Sequence, residues 1–320
     1  MGEHARLPIM SNINEWKKSN RTLEILRKAQ EGKYGVIAII AYTFDQAVTM
    51  VRTAEKMKSP IMILVFPWAI TSKSSGSNGE LVRAISELSY RAKVPVSVHL
   101  DHAQDIELIK YCAQYLPFDS IMVDMSHYSR EDNLKHTKEL VEYCNQYKIA
   151  TEAEPGRIEG GEDGILHTGD LEGLLTNIEE AKLFFDTGID IIAPSFGNVH
   201  GDYGKEGPSL NFDIVKDIFK SIETDYKTDQ ENMSYERYVC LHGTNEFSKE
   251  LMQENIKHGI TKLNINKLIL QSYFHEMQSY YQGESGTKVG FTEAIDKSNE
   301  KLSECLEYWM NACGSSNTVL

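Results

Sequence analysis

At 320 residues, with 41% hydrophobic and 25% charged residues, the chain has room for one α/β barrel of about 250 residues plus additions. A net charge of −14 argues against nucleic acid or an anionic membrane surface as a partner. It leaves an anionic metabolite open, because a pocket can be locally positive inside an acidic protein.

From residue 36 onward, short apolar runs alternate with helix-period segments. The runs predict strands at 36–41, 60–65, 95–99, 120–124, 149–153, 190–194, 238–241 and 262–265. They are apolar almost throughout rather than alternating, as strands covered on both faces should be. Between the first two, Ala47, Met50, Val51, Ala54 and Met57 form one helical face. Ile106, Ile109, Cys112 and Leu116 do the same after the third strand, and Thr176-Asn177-Ile178-Glu179 reads as a capping box for a helix ending near Gly188. Eight such units predict a closed (β/α)₈ TIM barrel.

The organisation expected is a single barrel domain over 1–320. Residues 1–20 would be a surface lead-in with a short helix, 223–237 a polar insertion, and 283–320 a C-terminal helical extension. No run of about 18 apolar residues occurs, so no membrane span is expected. The start MGEHARLPIM lacks the apolar core of a secretory signal. Cys112, Cys144, Cys240, Cys305 and Cys313 show no paired ligand spacing and read as thiols of a reducing compartment, by default the cytoplasm.

Active sites of such barrels sit at the strand C-termini. There the sequence puts His99-Leu100-Asp101-His102, Asp124, Glu152-Ala153-Glu154, Asn198-Val199-His200-Gly201, His242-Gly243 and Asn264. Three histidines from three strand ends (His102, His200 and His242) make a catalytic-type zinc site with an open position. Asp101, beside a ligand, is a candidate proton donor or acceptor, and His99 reads as structural. Asp124 and Glu154 fit a second metal position or support for the histidines. The Gly- and acid-rich stretch 156–164 suits a mobile loop bringing Glu162 or Asp163 over the site.

Six motifs in order carry a resemblance to a known family: VSVHLDH (96–102), IMVDMSHY (121–128), EAEPGRIEGGED (152–163), FGNVHGDYGK (196–205), LHGTN (241–245) and KLNIN (262–266). With them the chain resembles class II, metal-dependent fructose-bisphosphate and tagatose-bisphosphate aldolases from about residue 21 to the tail, whose NACGSSN (311–317) looks like the tagatose-type branch.

The resemblance implies Asp101 as the acid acting on the aldehyde-derived oxygen and Glu162 as the base for the dihydroxyacetone phosphate carbon. It implies zinc on His102, His200 and His242, with Asp124 and Glu154 at a displaced or second metal position. Gly201, Gly243, Thr244, Asn245, Asn264, Ile265, Asn266 and Lys267 would form the ketose and phosphate cradle. Lys205 would lie near a loop for phosphate and a monovalent cation. The implied partner is a sugar phosphate, and the implied assembly a homodimer or larger.

Departures from the family pattern concern substrate. Ala38-Ile39-Ile40 stands where Ala-Phe-Asn is usual, and Phe66-Pro67-Trp68 is bulky where the family is small. Asn245 and Lys267 also depart from the common residues. They keep one alternative reading open: an aldolase-like protein that holds zinc but serves in binding or regulation.

Overall fold

The computed structural model describes residues 13–72, 78–161, 173–226, 236–282 and 290–319. Ten strands occur among them: β1 (Val36–Ile40), β2 (Ile61–Val65), β3 (Val96–Ala103), β4 (Ser120–Val123), β5 (Ala150–Ala153), β6 (Glu159–Gly160), β7 (Ile191–Ile192), β8 (Val199–His200), β9 (Tyr238–Leu241) and β10 (Ile260–Asn264). Eight of them close into a parallel barrel in the order β1-β10-β9-β7-β5-β4-β3-β2. The eight runs expected from sequence all appear, and the fold class stands as expected.

Strand parity divides the core in two. Ala38, Ile40, Met62, Leu64, Ala150, Ile191 and Cys240 fill the barrel interior. Their strand neighbours Ile37, Ile39, Ile63, Val98, Leu100 and Leu241 pack outward under the helices. Both sets are buried, which is why the strands read as continuous apolar runs.

The helix Arg21–Gly32 lies against the N-terminal end of the barrel, adding Leu23, Leu26 and Ala29 to the interior cluster. Its Asn20 cap accepts from Leu23 N and donates to the Asp119 carbonyl (2.8 Å). The preceding helix, Ile13–Ser19, was expected on the surface. Instead Trp16 and Lys17 are 4% and 1% exposed, and Lys17 pairs with buried Asp190.

The helix Ile178–Asp186 starts one residue later than the capping box predicted. Asn177 caps it by accepting from Glu180 N, while Thr176 Oγ1 accepts from Ser195 N. The chain then turns at Gly188, with φ of 94°, as expected. Of the additions, residues 222–226 form a short π-helix while 227–235 and 283–289 lie outside the described residues, and the helix Phe291–Ala312 packs beside the helices 44–57 and 267–282. No described helix is long and apolar enough to cross a membrane.

Candidate active site

Strand β3 delivers two adjacent side chains to one place, which plain alternation forbids. Val98 and Leu100 face outward, so His99 and Asp101 face in and His102 should face out. The chain departs from alternation here: His102 has φ of 46°, and the β3–β4 register shifts between Leu100 and Ala103. A left-handed histidine costs about 1–3 kcal/mol, and such strain concentrates where geometry serves a site.

His102 thereby meets His242, from just past β9, and His200, from β8. His102 Nε2 lies 3.1 Å from His242 Nδ1, and His200 Nε2 lies 3.3 Å from the same atom. The far side of each of two rings is fixed. Asp124 Oδ2 is 2.9 Å from His102 Nδ1, and Glu152 Oε1 is 2.9 Å from His242 Nε2. Each carboxylate takes a proton-bearing nitrogen, which turns His102 Nε2 and His242 Nδ1 toward one another, so that two neutral rings would set lone pair against lone pair. Lone pairs at such separation repel unless positive charge sits among them.

The electrostatics agree. Burial lowers the basicity of His102, but the Asp101 charge and the Asp124 hydrogen bond overcome it and raise its pKa to about 10. His200 goes the other way, lowered by burial and by the two histidines beside it. Asp124, despite burial, is drawn down to about 2 by His102 and Ser126. Asp101 is 2% exposed and still held ionised: burial opposes this, but His102, His99 and Lys262 outweigh it. Its Oδ2 accepts from Asn264 Nδ2 at 3.1 Å. The pocket is built to hold positive charge.

Behind the histidines, burial and then the charge of Asp124 push Glu154 well up. Its Oε1 accepts from Ile158 N (2.6 Å), and its Oε2 is buried with no hydrogen-bond partner. An orphaned carboxylate oxygen and three converging imidazoles of the kind zinc takes together fit a metal ion.

The cradle residues divide. Asp101, His102, His200, His242, Gly243, Thr244 and Asn245 line one pocket with Asn264 and Asn266. Thr244 Oγ1 donates to the Asn264 carbonyl (2.8 Å), and Asn245 Nδ2 donates to the Gly201 carbonyl (3.0 Å). Position 243 accepts only glycine: φ is 69°, and a Cβ would come within 2.4 Å of the Val199 carbonyl oxygen.

Four expected members fall outside that lining, the first being Gly201, whose carbonyl accepts from Asn245. Ile265 is fully buried and its N–H bonds the Ala38 carbonyl, so it offers the pocket no donor. Lys267 spends its ammonium on exposed Asp202 (2.8 Å), and Lys205 is exposed; neither lines the pocket. Glu162 and Asp163 lie outside the described residues.

Sequence reasoning placed Glu152 at a strand end without a role and missed Lys262, its ion-pair partner at 2.8 Å, both side chains being 0% exposed. A parity count would have found them. Glu152 sits two residues before Glu154, and Lys262 two before Asn264, so each faces the interior one layer below the site. The two-residue pairing of β6 with β8, which carries His200, was also unforeseen.

Known proteins similar to this chain agree with the geometry. The sequence profile of class II fructose-bisphosphate aldolases matches residues 20–318. A putative fructose-bisphosphate aldolase of Coccidioides immitis is 42% identical over 300 residues, covering 91% of this chain and 94% of that protein. The fructose-bisphosphate aldolase of Mycoplasma genitalium is 30% identical over 308 residues, covering 92% and 97%. A crystal structure of a putative fructose-1,6-bisphosphate aldolase from Coccidioides immitis superposes with a TM-score of 0.84 at 40% identity, over 94% of this chain and 99% of that one. With a closed barrel, a metal-fitting histidine triad at its rim and these relatives, the chain belongs to the class II fructose-bisphosphate aldolase family of metal-dependent lyases.

Proposed function

We propose that the protein carries out reversible aldol cleavage of a ketose phosphate to dihydroxyacetone phosphate and an aldehyde, the reaction type of fructose-1,6-bisphosphate aldolases, with zinc on His102, His200 and His242. The observation that carries this reading is the meeting of three imidazole nitrogens beside an ionised Asp101 in a rim pocket. When bound, the zinc supplies Lewis acidity that polarises the ketose carbonyl and its neighbouring hydroxyl.

The protein's own groups supply the rest. Asp101 takes the hydroxyl proton in cleavage and returns it to the aldehyde-derived oxygen in condensation, steadied by Asn264. Gly243, Thr244, Asn245 and Asn266 hold the ketose and its phosphate. Asn266 Oδ1, buried without a partner, is an acceptor for a substrate hydroxyl. Glu162 is assigned the C3 proton from the family resemblance. Asp124, Glu152 and Glu154 hold the imidazoles and their charge in place.

A Schiff-base route needs a free buried amine. The buried lysine inside the barrel, Lys262, is locked on Glu152 and its basicity is raised: burial opposes this, but Cys240 and Glu152 outweigh it. A homo-oligomer and a cytoplasmic setting complete the reading; the free cysteines support the second.

The test is a cleavage screen over ketose mono- and bisphosphates, with fructose 1,6-bisphosphate as reference and zinc quantified in the same sample. Asp101→Asn should lower kcat by about 10²–10⁴-fold with zinc retained. Near-native cleavage by that variant, or by chelated protein, overturns the assignment.

A further inference from the structure

The pocket has two unlike walls. One is polar, made by Gly243, Thr244, Asn245 and Asn266 at the ends of β9 and β10. The other is lined by Ile40 and Leu64, from the ends of β1 and β2. Behind these, Phe66 is fully buried with its ring centroid 6.3 Å from that of His102. Further out on the same rim, Tyr42 stacks on Trp68 at 5.5 Å and meets Phe274 edge-on at 5.9 Å. Both Tyr42 and Trp68 pack against the cluster containing Ile40, Leu64 and Phe66. Among the described residues, no lysine or arginine lines the pocket.

A ketose phosphate spans these walls in a fixed sense. Its dihydroxyacetone phosphate half carries the phosphate and needs donors, so it belongs on the polar wall. The aldehyde half is the part whose oxygen must reach Asp101. Asp101 lies on β3, between β4, which runs into the polar Asp124, and β2, which brings Leu64 and in turn pairs with β1 and its Ile40. The aldehyde's substituent therefore falls against Ile40 and Leu64, with the Tyr42–Trp68 stack beyond.

We propose that this wall is the subsite for the aldehyde half, and that it selects an uncharged aldehyde with an apolar substituent over a phosphorylated hydroxyaldehyde. The inference rests on the aldolase reading above and adds the class of acceptor. In condensation a C–C bond forms between C3 of dihydroxyacetone phosphate and the aldehyde carbonyl carbon. One proton leaves C3 and one joins the aldehyde oxygen, so no oxidant or reductant enters.

A phosphorylated hydroxyaldehyde would turn its hydroxyl toward Ile40 and Leu64, which can neither donate nor accept, and would carry a dianion past the carboxylate of Asp101 with no lysine or arginine among the described lining. An alkyl substituent would instead be desolvated against Ile40 and Leu64, with Tyr42 and Trp68 beyond. Apolar pockets discriminate modestly, so the preference should be roughly 10–100-fold.

The experiment uses the full-length zinc-loaded protein. Condensation of dihydroxyacetone phosphate is followed with 3-methylbutanal and with D-glyceraldehyde 3-phosphate, and kcat/KM is measured for each. Deuterium exchange at C3 of dihydroxyacetone phosphate in heavy water, with no aldehyde present, reads the aldolase chemistry alone. The expected result is a kcat/KM roughly 10–100-fold higher for 3-methylbutanal. Trp68→Ala, a half-buried rim residue, should erode that advantage mainly through the aldehyde KM. Exchange with equal or better use of D-glyceraldehyde 3-phosphate overturns the apolar subsite and leaves the aldolase reading standing. No exchange and no condensation with either aldehyde overturns both.

Discussion

Both ends of the barrel bury charge, and they do so to opposite effect. At the N-terminal floor the carboxylates of Asp119 and Asp190 each have a cation. Lys17 meets Asp190 Oδ1 while Thr151 N–H meets Oδ2, and Arg21 grips both oxygens of Asp119 at 2.9 Å. At the rim, the carboxylates of Asp101, Asp124 and Glu152 stand against one buried lysine and four imidazoles, with one oxygen of Glu154 orphaned and His102 in left-handed backbone. The floor's acids are matched by cations of the same chain. The rim has acceptors left over, which is what a site for a cation and a polar substrate requires, and it carries strain that the matched floor helps the fold to bear.

The largest effect that would break this comparison is at the floor. Lys17→Met leaves the Asp190 carboxylate buried without its cation, and breaking such a pair costs about 3–5 kcal/mol. Denaturant unfolding should show that loss, while kcat of the remaining folded protein stays at its original value. Adding Asp190→Asn, which keeps an acceptor for Thr151 N–H, should recover more than half of it. If Lys17→Met changes kcat with little change in stability, floor and rim are not separate in the way described.

Next in size is the pair beneath the metal ligands. Lys262 keeps Glu152 ionised in a fully buried place, and Glu152 in turn fixes His242 with Nδ1 toward the other histidines. Burial raises the Glu152 carboxyl, but Lys262 and His242 pull it well below the usual range. Lys262→Met should weaken zinc binding about 10–100-fold, read by competition with a chromophoric chelator rather than by activity. Unchanged affinity would mean that His242 and Glu152 hold each other without the lysine.

These two regions were not equally legible in the sequence. The barrel was, because strands covered on both faces leave unbroken apolar runs, and strand-end histidines and acids mark the rim. Trp16 and Lys17 were misplaced on the surface because a charged, short helix looks solvated unless its distant partner, Asp190, is known. The Glu152–Lys262 pair escaped for a related reason: each looks like an ordinary charge, and only their pairing across 110 positions makes burial tolerable. The β6–β8 pairing is two residues long and carries no periodicity to read. The register shift at His102 cannot be told from a plain strand, although two adjacent functional residues on one strand should have raised the question.

The smallest effect sharpens the comparison most directly, because it tests whether the rim's polar wall is held by the chain or only by substrate. Thr244 Oγ1 donates to the Asn264 carbonyl at 2.8 Å, tying the end of β9 to β10 and fixing the amide that steadies Asp101. Thr244→Val keeps the shape and removes the donor, leaving a part-buried carbonyl short of a partner. Loss of stability of about 1 kcal/mol is expected, an ordinary value for a single hydrogen bond. If Asn264 then drifts from Asp101, kcat falls alongside the change in KM for the ketose phosphate. If KM alone moves, Asn264 is held well enough by Asp101, whose Oδ2 accepts from its amide at 3.1 Å. In that case the rim's order belongs to its charges rather than to its neutral hydrogen bonds.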